Sequence, residues 1–364
     1  MAAMRDAPVR HESVPARFAE GRRIDGVDAA RGIALVGMFI AHLAPAAATG
    51  SLEATLLSVA DERPRLLFAL AAGIGLGLLT GGIRPTDPSG RAEQRRQLAV
   101  RAALLLLLGL LLTFVLQPLA SVILDEYGIA FLLLLPLLFL PRPALLGLGA
   151  GLLVIAPGLA VALSATDAVQ DARRGRTFLL TDWFIAGSYP VIVWVPVMLV
   201  GLAVARYGLQ RPATVAITGL VALAAVVAYL PGNALLDAGA GTAADAVGTS
   251  LVSLANVGAG LALTAALVSV TQWGTDATTR VARILLSPLS AMGAMPLTIY
   301  TAHIVVISQA IRIEDGVPED DSWVLLAATV AGSMAFALAW RAWVGRGPLE
   351  ALFRWISGRD RAAA

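Results

Sequence analysis

The chain has 364 residues, 58% of them apolar and 14% charged, with a formal net charge of +2 and a mean hydropathy of +0.78. Soluble domains carry about a quarter charged residues, so a soluble enzyme, a disordered chain and a nucleic-acid-binding module are all excluded. Apolar stretches of roughly 20 residues, each enough for one helix to cross a bilayer, recur along most of the length and mark a polytopic, all-α membrane protein.

There is no cysteine, and every one of the 27 basic residues is an arginine, so disulfides, thiolate ligands and lysine nucleophiles are absent. Residues 1–28 alternate arginines with acids and have no apolar core of a signal peptide, so a disordered cytoplasmic tail is expected there. A transmembrane domain over 29–345 and a second cytoplasmic tail over 346–364 follow. Ten spans are expected, at about 30–49, 65–81, 98–116, 119–140, 143–164, 189–206, 212–230, 249–270, 285–311 and 322–343. With the N-terminus inside, 21 arginines fall on the cytoplasmic face and six (Arg63, Arg65, Arg173, Arg174, Arg176, Arg312) on the other, which predicts N-in and C-in.

The first span, RIDGVDAARGIALVGMFIAHLAP, places Asp25, Asp28 and Arg31 at its cytoplasmic mouth and His42 inside. Ionisable groups within a span are costly to insert and are candidates for function. Arg31 and His42 are eleven residues apart, about three helical turns, so they share one face and lie roughly 16 Å apart along the axis. Asp28, one turn before Arg31, is placed to hold its guanidinium. Taken singly, Arg31 reads equally as a snorkelling anchor and His42 as a helix-packing residue, but the shared face favours a site.

In the second span, AAGIGLGLLTGG has no preceding strand, so Gly73 and Gly77 are expected to serve close helix packing, not a phosphate loop. The following RAEQRRQLAVR reads as an inner-surface anchor. The fourth span opens with LASVILDEYGIA, bringing Asp125, Glu126 and Tyr127 near its outer end, where Asp125 could orient His42 or pair with an arginine. The loop 165–188 could cover an outward cavity. In the ninth span, GAMPLTIYTAHIVVIS sets Tyr300 and His303 three residues apart and hence side by side; interhelical hydrogen bonding and a site role weigh equally for them. Three histidines in separate segments make no metal site.

Six blocks, RIDGVDAARGIALVGMFIAH, DERPRLLFALAAGIGLGLL, ILDEYGI, YPVIVWVPVMLVGLAVAR, GAMPLTIYTAH and GRGPLEALFRW, run in order from about residue 22 to 356. In this order they resemble the bacterial heparan-α-glucosaminide N-acetyltransferase-like and YeiB-like membrane proteins. The first span is also similar to the arginine-to-histidine element of the broader transmembrane acyltransferases that O-acetylate polysaccharides. The resemblance implies a helical enzyme of the bacterial cytoplasmic membrane. Such an enzyme moves an acyl group, acetyl above all, from cytosolic acyl-CoA to a hydroxyl or amine of an envelope sugar or glycolipid. It needs no metal, has no nucleic-acid partner and leaves room for a homodimer. Residue by residue, it implies His42, His303, Tyr300 and Asp125 for catalysis and Arg31, Asp28 and Arg63 for the acyl-CoA donor. The animal enzyme's catalytic histidine lies in the loop after the first span; that loop has none here, so His42 rests on the polysaccharide acyltransferases. The alternative reading is a transporter of a small anionic or lipid-linked solute that uses the same arginine and histidine.

Overall fold

The computed structural model describes residues 23–48, 50–314 and 316–359; of the tail expected over 1–28, residues 1–22 lie outside this range. The protein is all-α apart from a short antiparallel hairpin of β1 (Arg312–Glu314) and β2 (Val317–Glu319). The centre of the bundle begins with α1 (Asp25–Leu43), followed by a short α2 (Leu52–Leu57) and by α3 (Arg63–Leu79) running back antiparallel to α1. Next come α4 (Pro88–Leu111), α5 (Leu124–Leu134), α6 (Arg142–Ser164) and the small α7 (Asp167–Arg174) and α8 (Phe178–Thr181). The remainder is α9 (Val191–Tyr207), α10 (Pro212–Val226), α11 (Tyr229–Asp237), α12 (Thr242–Gln272), α13 (Asp276–Leu285), α14 (Ser287–Ala294), α15 (Pro296–Ala310), α16 (Trp323–Trp343) and α17 (Pro348–Ile356).

Six helices, counting α4 with its π-helical end and α10 with α11 as one each, are long and apolar enough to cross a membrane. The count rises to eight if α8 with α9, bent by 45°, and α14 with α15, bent by 89°, each form one span. Each of the ten expected segments thus falls on a helix, but two fall short of that length. Helix α3 has 17 residues, and α5 has 11 because residues 119–123 before it and 135–140 after it are not helical. The protein is nevertheless an integral membrane protein by its helices: their outer faces carry large apolar side chains with no protein neighbour, such as Leu107, Ile155, Ile217 and Leu220.

Small residues let the central helices approach closely, as the second-span glycines predict. A Cβ at Gly73 would run into the Met198 carbonyl of α9, one at Gly201 into the Leu70 carbonyl of α3, and one at Gly77 into the Ala205 side chain. Helices α1 and α16 are antiparallel neighbours. Ser322 N donates to Leu43 O at 2.8 Å at one end, and at the other Arg341 Nη2 stands 3.9 Å from Asp25 Oδ1. The beginning of α1 and the end of α16 therefore emerge on one side of the bundle.

Where helices break inside the bundle, side chains replace the lost backbone partners, which a bilayer interior requires. At the sharp α14–α15 bend, Arg31 Nη1 donates to Gly293 O at 2.8 Å at the C-terminal end of α14. Glu350 Oε1 accepts from Leu297 N at 2.7 Å and Thr298 N at 3.2 Å at the N-terminal end of α15, and its Oε2 accepts from Thr298 Oγ1 at 2.6 Å. A cation on terminal carbonyls and an anion on terminal amides both match the local helix dipole. Before α5, the Ile123 amide is met by the Tyr300 hydroxyl at 3.0 Å.

Candidate functional site

Arg31 lies on α1 where it meets α3 and α14. Its Nη1 also donates to Asp28 Oδ1 at 3.0 Å, and its Nη2 donates to Ala71 O of α3 at 3.2 Å. The expected Asp28–Arg31 pair is thus formed, but the arginine also ties three helices together and does not snorkel. Gly75 leaves the room: a Cβ there would stand 3.2 Å from Arg31 Nη2. Two further groups gather near this guanidinium. Arg101 of α4 lies within electrostatic reach of Arg31 and Glu350, and its buried Nε has no hydrogen-bond partner among the described residues. Tyr127 of α5 also lies within reach of Arg31, and its buried hydroxyl is equally unpartnered. Among the described residues, Arg101 Nε and Tyr127 Oη are thus two buried donors without a partner, able to bond acceptor oxygens of a ligand. Reading the loops placed Arg101 simply among the inner arginines; its apolar setting, RAALLLLLG, is the signal that it points inward.

The second cluster lies toward the other end of α1. His42 Nδ1 is 3.3 Å from His303 Nε2, with the rings stacked 9° from parallel, and His303 Nδ1 is 2.5 Å from the Tyr300 carbonyl oxygen. Phe39 and Tyr300 close around His303 with ring centroids 4.7 and 4.8 Å away, and His303 is fully buried. This geometry fixes the direction of donation. A backbone carbonyl can only accept, so His303 carries its proton on Nδ1 and, being neutral, offers a lone pair at Nε2. His42 must then donate from Nδ1, which leaves the lone pair on its own Nε2. The outcome is a half-buried imidazole held in the tautomer whose outer nitrogen is basic.

The other expected site residues stand elsewhere. Tyr300 is fully buried and its hydroxyl oxygen accepts from Ile123 N, so it shapes the break before α5. Asp125 does not orient His42; that place is taken by His303. Asp125 Oδ2 instead accepts from Trp183 Nε1 at 2.8 Å, and its carboxyl interacts with that of the neighbouring Glu126. Arg63 does not join Arg31. It sits eight residues before Ala71 on α3, about 12 Å along the axis, where Nη1 donates to Ser58 O at 3.2 Å and the guanidinium covers the Tyr229 ring. Among the described residues, no group of three or more histidine, aspartate or glutamate side chains could hold a metal ion.

Residues 23–236 match the family described as heparan-alpha-glucosaminide N-acetyltransferase, catalytic. The chain belongs to this family. As a member of the heparan-alpha-glucosaminide N-acetyltransferase family it falls among membrane acetyltransferases, as the ordered blocks imply. Residues 203–360 match a second family, described as Protein of unknown function (DUF418), the YeiB-like group. No curated protein matches the chain. The first matched stretch contains Arg31, His42, Arg63, Arg101 and Asp125, and the second contains Tyr300, His303 and Glu350. The histidine pair joins the two.

Proposed function

We propose that the protein transfers an acyl group, acetyl above all, from acyl-CoA to a hydroxyl or amine of an envelope sugar or glycolipid in the bacterial cytoplasmic membrane. The observation that carries this reading is the His42–His303 pair with its fixed direction of donation. His42 Nε2 takes the proton from the acceptor's hydroxyl or amine as that atom attacks the acyl carbonyl, and gives it up to the departing thiolate. While His42 is an imidazolium, its Nδ1–H bond to His303 becomes charge-assisted and therefore stronger, so the pair favours the charged state that the reaction needs. His303 is thus a positioning residue.

Acyl-CoA supplies the acyl group as an activated thioester. The leftover donors at Arg101 Nε and Tyr127 Oη, with Arg31 steadied by Asp28, fit the acceptor oxygens of such a ligand. Arg31 and His42 remain the two ends of one helical face about 16 Å long, which suits a donor entering at the Arg31 end. At the far end of α1 a cavity of about 240 Å3 opens between Ile40, Ala41, Ala44 and the 54–61 segment. His42 is not among its walls, but it lies within the same turn, which supports acceptor access from that side.

The donor end is assigned to the cytoplasm by the arginine distribution. Arg283 and Arg341, expected in two different inner loops, both reach Asp25 at the start of α1, at 3.6 and 3.9 Å. These contacts support the N-in and C-in orientation that the arginine count predicts. Counting α3 and the segment built on α5 with the eight longer spans gives ten crossings.

The test is release of CoA thiol by the purified protein with acetyl-CoA and an envelope lipid extract, followed by acetyl label in the lipid fraction. Since the chain has no cysteine, a thiol reagent reads CoA without background. Acceptor-dependent release that vanishes in His42→Ala is expected. Wild-type turnover in that variant would move the chemistry away from His42.

A further inference from the structure

The end of the bundle where α1 begins and α16 ends carries a basic cavity whose walls include neither the histidine pair nor Arg31. It has a volume of about 550 Å3 and is lined by Arg23, Arg341, Val344, Gly345, Arg346 and Ala351. Among the described residues, Asp28 lies within electrostatic reach of Arg23 and Arg341 but is bonded to Arg31. Asp25 is shared between Arg341 at 3.9 Å and Arg283 at 3.6 Å, both long contacts, and the neighbouring Glu350 is turned away onto the N-terminus of α15. Of the described residues that line the cavity, three are arginines and none is acidic.

The surroundings are apolar and exposed. Trp343 is 86% and Val344 62% exposed at the end of α16, and Trp355 and Leu352 stand out from α17. Because α16 is a candidate span ending at Trp343, the cavity lies at the level where a helix leaves hydrocarbon for headgroups, with tryptophans at the depth they favour. Arginines that can fork onto phosphate oxygens, set between exposed tryptophans at an interface, match a phosphoryl group carried on an apolar body.

We propose that this cavity binds a phosphoryl group, presented by the headgroup of an anionic phospholipid in the leaflet at this end or by soluble phosphate. Arg23 and Arg341 hold its oxygens, and Trp343 and Trp355 flank the acyl chains of the lipid. The site is independent of the histidine pair, so it stands or falls apart from acyl transfer.

The experiment uses the full chain, delipidated in detergent and then offered phosphatidylglycerol, phosphatidylcholine or inorganic phosphate. Native mass spectrometry reads lipid retention, and thermal shift reads the phosphate response. Phosphatidylglycerol is expected to be retained over phosphatidylcholine, with occupancy falling about fivefold for each arginine removed in Arg341→Gln and Arg23→Gln/Arg341→Gln. Arg341→Lys should recover part of the loss, because it keeps the charge, and Arg280→Gln, outside the cavity, should behave as wild type. A stabilisation by inorganic phosphate that the double variant loses, without lipid preference, supports the site and assigns it to the soluble carrier. Equal phosphatidylglycerol retention by wild type and double variant, with no phosphate response, overturns the proposal.

Discussion

Replacing His303 by leucine separates a positioning role from a merely structural one. Leucine fills the buried volume between Phe39 and Tyr300 but offers His42 Nδ1 no acceptor, so nothing holds His42 in the tautomer with a basic Nε2. A hydrogen bond between neutral groups is worth about 1 kcal/mol, and one to a charged group about 1.5–3 kcal/mol. The bond is neutral in the resting enzyme and charge-assisted when His42 is protonated, so its loss removes a difference of about 0.5–2 kcal/mol and should slow kcat by roughly 2- to 30-fold. His42→Ala removes the base itself and should lower the rate by about 100- to 10,000-fold. His303→Gln, whose side-chain oxygen can accept from Nδ1, should fall between wild type and leucine. The assay is the thiol readout of CoA release at saturating donor, with KM measured alongside, because a positioning role moves kcat and leaves donor KM near wild type. Wild-type kcat in His303→Leu beside an inactive His42→Ala would refute the orienting role. An active His42→Ala beside an inactive His303→Leu would give His303 the role of base.

Three shorter predictions follow from the same geometry. A reporter fused after Ala364 or at Pro88 should read as cytoplasmic and one within 165–188 as external; an external C-terminus would contradict N-in and C-in. Arg31→Ala should lower thermal stability as well as weaken acetyl-CoA binding, since it strands Gly293 O, Ala71 O and Asp28, at roughly 1–3 kcal/mol for each buried group left unpaired. Arg31→Lys should lose less, and unchanged unfolding in the alanine variant would remove the strut role. Acetyl-labelled CoA incubated without acceptor should leave no stoichiometric label on the protein, since direct transfer with His42 as base forms no acyl-enzyme; label that disappears in His42→Ala would establish an acyl-histidine relay instead.

The helical membrane fold was legible because apolar runs of span length are a strong signal, and each of the ten segments falls on a helix. So was the Asp28–Arg31 pair, which lies one turn apart on one helix, and the contact of Tyr300 with His303. The pairing of His42 with His303 was not, since 261 residues separate them and helix periodicity says nothing about which helices become neighbours. The α14–α15 bend and the non-helical stretch before α5 were hidden inside unbroken hydropathy. Pro296 and Pro118 were the available marks, each within an otherwise continuous apolar run, and proline restricts the residue before it. Arg206, the last residue of the expected span 189–206, was counted among the arginines of the cytoplasmic face. It is 3% exposed, and its Nη1 and Nη2 donate to the carbonyls of Gly77, Thr80, Gly82 and Leu138 and to Thr80 Oγ1. Arginine is suited to this because its planar donors can satisfy several loop carbonyls at once, and hydropathy cannot see carbonyls.

The bend between α14 and α15 links the two halves of the site. A straight helix through Gly293 and Pro296 would need neither Arg31 on its carbonyls nor Glu350 on its amides, and it would carry Tyr300 and His303 along a different axis. Because the bend is sharp, α15 starts afresh beside α1 inside the bundle, at the level of Arg31, and His303 comes to lie two turns further on against His42. On the proposed mechanism, the charged groups at the break are therefore part of the positioning of the base. Arg31 shares one face of α1 with His42 and also bonds the bend from which α15 runs to His303. A variant at Arg31 or Glu350 should consequently disturb the histidine pair without touching it, most of all where the bend can straighten. The separation of donor end from histidine end is then held by the bend as well as by the length of α1.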